Sequence, residues 1–160
     1  MNLDNINKWL TLSANAGVLV GIIFLSLEIQ QSNRIATANT EIEIRNNFSS
    51  VNESIYSDPY VSDLLVKLGD HQAILGDSEK LRFGSFIRRM MNVWLAIETA
   101  YENDMAPEET YNLIEDDIRG MFGRYPAGLP IWREVYGSYP ALQDTQTFVL
   151  INNVLQEKNF

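Results

Sequence analysis

Residues Trp9 to Ile29, WLTLSANAGVLVGIIFLSLEI, carry no charge between Lys8 and Glu28. A helix crossing a bilayer needs roughly 20 apolar residues at about 1.5 Å rise each, and this run has that length. A secretory h-region is usually shorter, roughly 7 to 15 residues. Ala36-Thr37-Ala38 has the small residues of a cleavage site, but it follows a polar, Gln-rich stretch. An uncleaved anchor over residues 1–30 is therefore expected. The alternative, a buried core helix, normally has a polar face in so small a protein, and this run has none. Trp9 suits a membrane interface, and Ser13 and Asn15 are neutral.

Outside the span, roughly 100 residues remain for one small domain. From Ile35 onward there are 10 Lys+Arg against 19 Asp+Glu, so this part carries the whole net charge of −9. Such an acidic domain repels phosphate backbones, and no nucleic-acid partner is expected. Arg82, Arg88 and Arg89 read as a solvated helix face continued by Glu98 and Glu102. The chain has no cysteine, which excludes disulfides and thiolate chemistry.

Residues 30–57 contain neither Pro nor Gly, so the spanning helix is expected to continue without a break from about residue 4 to 56. Asp58-Pro59 should stop it. At about 100° per residue, Ser13, Gly17, Gly21, Phe24, Glu28, Ile35, Ala38 and Ile42 share one side. Ile44, Phe48, Val51 and Ile55 share the opposite side. The first stripe is the candidate oligomer interface, and the second is expected to dock the chain's own domain. A bend near Thr40, burying both stripes in one core, is the competing reading.

The remainder, residues 58–160, reads as a soluble helical domain. Helices are expected over Pro59–Lys67, from an Asp77 or Ser78 cap to about Asn103, from Pro107 to Gly123, over Leu129–Tyr136, and over Pro140–Gln156. Phe83, Phe86, Ile87, Met90, Trp94, Ile97 and Tyr101 mark the apolar face of the second. The fold class is all-α: a long N-terminal helix containing one transmembrane span, followed by a small helical bundle.

Chemistry is sparsely signalled. His71 is the only histidine, so a bundle metal site lacks its ligands. Glu115-Asp116-Asp117 points in three directions from a helix and reads as a solvated face. No Walker loop, Gly-x-Gly-x-x-Gly or Gly-x-Ser-x-Gly occurs. No catalytic, cofactor or metal residue is assigned, and no enzyme is expected. Trp94, Tyr101, Tyr111 and Trp132 are candidates for an apolar pocket, although a small core also needs such side chains.

Leu27-Glu28-Ile29-Gln30-Gln31-Ser32-Asn33-Arg34 after the span, Asp58-Pro59-Tyr60, Ser78-Glu79-Lys80-Leu81-Arg82-Phe83, Asn92-Val93-Trp94 and Pro130-Ile131-Trp132-Arg133 run through nearly the whole chain. In these segments the sequence resembles an uncharacterised family of small bacterial single-pass membrane-anchored proteins. The resemblance implies an all-helical architecture and brings no activity with it.

Three functions follow as expectations. The first is a self-associating, membrane-anchored scaffold or interaction protein whose partner is unspecified. It would lie in a bacterial inner membrane with the C-terminal domain in the cytoplasm. The second is an oligomeric pore lined by Ser13, Asn15 and Glu28. The third is a membrane sensor with the aromatic pocket.

Overall fold

The computed structural model describes residues 3–157. Residues 1–2 of the expected anchor and residues 158–160 of the expected soluble domain lie outside them. Among the described residues all regular structure is helical. A long helix, α1 (Leu3–Ser57), is followed by α2 (Pro59–Leu68), α3 (Asp77–Glu102), α4 (Glu108–Arg124), α5 (Leu129–Gly137) and α6 (Gln146–Glu157). Two short 3₁₀ turns, Pro126–Gly128 and Pro140–Leu142, precede α5 and α6.

The chain divides into two compact units between Asn39 and Thr40, inside the segment expected as a helical extension of the span. The first unit is the α1 segment up to Asn39. Nearly all its described side chains are exposed; only Ile6 and Thr37 are partly covered. One stretch of α1 is long and apolar enough to cross a membrane, and none of its 18-residue apolar window is buried.

The second unit begins with the rest of α1. Ile44 and Val51 are buried there, and Phe48 and Ile55 pack half-buried against the same core. Ile42 stays exposed, so this segment buries the stripe expected to dock and leaves the other uncovered. The helical hydrogen-bonding of α1 continues through Thr40. It ends where Asp58 takes an extended conformation and its carboxylate accepts the Tyr60 N–H at 2.9 Å, with Pro59 opening α2. The Ser62 hydroxyl donates to the Ile55 carbonyl across this corner.

The α3 helix is the hub, packing on α2, α4, α5 and α6. It buries Met91 and Val93 as well as Phe83, Ile87, Met90, Trp94 and Ile97, a broader surface than a single stripe. Helices α4 and α6 close the bundle through Ile114, Ile118 and Phe122 on one and Phe148, Ile151 and Val154 on the other. At Gly128 a Cβ atom would lie 2.1 Å from the Phe83 ring, so only glycine fits beneath that fully buried side chain.

Three expectations are corrected. The α3 N-cap is Gly76, not Asp77 or Ser78, and the Glu79 carboxylate accepts the Gly76 N–H at 2.7 Å. The last helix does not begin at Pro140. A 3₁₀ turn and the Asp144-Thr145 corner come first, the Thr145 hydroxyl accepts the Phe148 N–H at 3.4 Å, and α6 starts at Gln146. Glu98 does not belong to a solvated face, because it is only 4% exposed.

Candidate functional site

Two surfaces were expected to matter, one on α1 and one among the aromatics. In the first unit Ser13, Gly17, Gly21, Phe24, Glu28, Ile35 and Ala38 are all exposed, with Phe24 at 68% and Ile35 at 53%. A Cβ placed on Gly17 or Gly21 would meet nothing within 4 Å. Neither glycine is required by this chain's own packing. Ile42, at the start of the second unit, is 55% exposed.

Of the polar residues expected to line a pore, Ser13 and Glu28 share this face and Asn15 does not. At 100° per residue Asn15 lies about 160° around the helix from Ser13, while Glu28 lies about 60° from it. A ring of such helices would turn Asn15 away from a channel lined by the other two.

In the second unit the four aromatics form two stacked pairs. Trp94 and Trp132 lie face to face, 5.8 Å between ring centroids and 13° between planes, and both are fully buried. Phe122 covers Trp132 at 4.6 Å. Tyr101 and Tyr111 stack at 4.5 Å nearer the surface. Trp132 contributes through packing alone, since its buried indole N–H has no hydrogen-bond partner. Burial raises the Tyr111 hydroxyl pKa, and Glu98, Tyr101 and Glu102 raise it further.

Two carboxylates carry structural work that their sequence surroundings did not suggest. Glu98, on α3, accepts the N–H groups of Gln146 and Thr147 at 2.8 and 2.9 Å. It therefore caps the first turn of α6, where unpaired N–H groups and the helix dipole favour an anion. Its partners are those amides rather than Arg88, Arg89 or Lys80. Asp117 is partly buried, so it too departs from the solvated face expected of the Glu115-Asp116-Asp117 run. It accepts the Trp94 indole N–H at 2.8 Å. Burial pushes its pKa up, opposed by that hydrogen bond and by the nearby Arg124 charge. Glu115 fits the solvated reading: it pairs with Arg119, which also meets Glu157.

Asp117 borders a groove of about 610 Å³ between the second-unit part of α1 and helices α3 and α4, with Val51, Met90, Met121 and Arg124 among its walls. A smaller cleft of about 180 Å³ lies where Leu64 and Leu65 meet Phe83, with Arg82 and Arg89 at its edge. Arg82 is already engaged, 3.6 Å from Asp58 and 5.6 Å from the Tyr60 ring centroid. His71 is exposed in the α2–α3 loop. Among the described residues no three His, Asp or Glu side chains gather as a metal site.

Neither protein-family models, nor curated proteins, nor solved structures give a match to this chain.

Proposed function

We propose that this protein is a membrane-anchored helical scaffold that associates with copies of itself through α1 and presents its second unit for interaction. The observation that carries the reading is the bare apolar run, an 18-residue window of α1 with none of it buried. In water such a surface is costly. In a bilayer it is the driving force: each Leu, Ile, Val or Phe near the centre of a span favours insertion by roughly 0.3 to 0.6 kcal/mol. The 11 such residues from Leu10 to Ile29 then supply about 3 to 7 kcal/mol. A core helix of a water-soluble protein would have this surface covered.

Self-association is supported by Gly17 and Gly21, one turn apart with open space around them. In lipid, helices associate by close packing rather than by hydrophobicity, and small residues permit the approach. The lack of cysteine, and hence of disulfides, agrees with a cytoplasmic second unit anchored in a bacterial inner membrane.

The test has two arms. The full chain should stay with the membrane through alkaline extraction; release into the supernatant would remove the anchor. Subunit counting in lipid nanodiscs should give more than one copy, and Gly17→Leu and Gly21→Leu should each lower that number. An unchanged count in both variants would remove the glycine face.

A further inference from the structure

The exposed face of the first unit has a period that decides how two copies would wind. Ala14, Gly21, Glu28 and Ile35 recur at intervals of seven. Gly17, Phe24, Gln31 and Ala38 recur likewise, three positions behind. Together they step by three and four in strict alternation, a repeat of 3.5 residues. All eight are exposed in the isolated chain.

Two windings compete for Gly17 and Gly21. A right-handed glycine crossing follows steps of four, and continues the line through Leu25, Ile29, Asn33 and Thr37. That line turns polar as soon as it leaves the apolar run. The 3.5-residue line behaves differently. Beyond Ile29 the sequence is Gln-Gln-Ser-Asn-Arg, and of the apolar side chains that return, Ile35 and Ala38 fall back on it while Ala36 lies beside it. Since an α-helix turns in 3.6 residues, a 3.5-residue stripe drifts about 20° per heptad, and helices follow it only by coiling left-handedly.

Resting on the self-association proposed above, we infer that residues 14–38 form a parallel, left-handed two-stranded coiled coil with a second copy of this chain, over about 37 Å of helix. In the seam of a parallel pair Glu28 faces its own counterpart, while the flanking positions are free of such opposition. Arg34 occupies a flanking position that faces Asn39 of the other copy, so no like charges oppose each other there. Lipid does not reach Ile35, which lies beyond the polar stretch Gln30 to Arg34 that ends the apolar run. A second copy can cover it.

Glu28 and Gln31 then occupy successive seam layers where the apolar run gives way to polar sequence. A polar residue in a seam weakens association and fixes register. The Gln31 amides supply donors beside the Glu28 carboxylates.

The absence of native cysteine makes the test clean. Single cysteines are placed at residues 31 to 38 of the full chain in lipid nanodiscs, then oxidised. A disulfide needs Cα atoms within roughly 7 Å, a separation met across a seam and not at outward positions. Cross-linking should peak at Gln31→Cys, Ile35→Cys and Ala38→Cys, at least fivefold above Asn33→Cys and Thr37→Cys. Subunit counting on the unoxidised samples separates the failures. Multiple copies with peaks at positions 33 and 37, or with no peak at all, would overturn the coiled coil and leave self-association standing. A single copy would overturn both. Glu28→Leu should raise the cross-linked fraction at Ile35→Cys severalfold; a fall would overturn the placement of Glu28 in the seam.

Discussion

The first unit and the second solve opposite problems with the same helix. Up to Asn39, α1 has no polar face through its apolar run and covers almost none of it. From Thr40, the same helix buries one stripe, Ile44 and Val51, in the core of the helical domain. The glycines repeat the contrast. Gly17 and Gly21 have empty surroundings, whereas Gly128 lies under a ring that forbids any side chain. Apolar content alone therefore does not define a core. What matters is whether the polar positions leave the apolar ones a direction in which to be covered by the chain itself.

Mutations in either unit can break this contrast. The largest effect is expected at Trp132, stacked between Trp94 and Phe122. Trp132→Ala should cost the second unit roughly 3 to 5 kcal/mol. Chemical denaturation followed by far-UV circular dichroism measures this, and retention in the membrane fraction should not change. The mirror experiment is Ile22→Arg. A charge near the centre of the apolar run should cost about 3 kcal/mol of insertion. Flotation with vesicles should fall while the denaturation midpoint of the second unit stays put; a shifted midpoint would mean that the run contributes to that fold. Removing a cap comes next. Glu98→Ala leaves the Gln146 and Thr147 amides without their acceptor and should cost about 2 to 3 kcal/mol. Hydrogen exchange should quicken first in α6.

The smallest effect is a pH dependence. Because burial raises the Asp117 pKa, the folded state holds that proton more tightly than the unfolded chain. Its contribution favours folding at low pH and is lost as pH rises from the ordinary aspartate value through the raised one. Asp117→Asn keeps an acceptor for the Trp94 indole and removes the titration. The variant should gain stability relative to wild type as pH rises through that window. Parallel denaturation curves at each pH would count against the assignment.

Local signals in the sequence found most of the helices. Asp58-Pro59 ends α1 by fixing one extended residue, and Pro130 falls in the first turn of α5. Helical phase separated Ile44 and Val51 from Ile35 and Ile42 on one continuous helix. The start of α6 was written in Asp144-Thr145, but the helix-compatible first turn at Pro140 masks it. Glu98 was not legible, because its partners are 48 and 49 residues away. Asp117 was partly legible: it sits between Ile114 and Ile118 on the buried side of α4. The candidate association face was legible as exposed apolar periodicity. The partner proposed for it is a second copy of this chain.

The three tryptophans are divided between the units, one at position 9 and two stacked in the core. The molecule thus carries two built-in optical reporters. Trp9 is 69% exposed and free to respond to lipid, while Trp94 and Trp132 are sealed from solvent. A blue shift on adding vesicles is a signal from the first unit, and a red shift on denaturation is a signal from the second. Insertion and unfolding can be followed in one cuvette without a label.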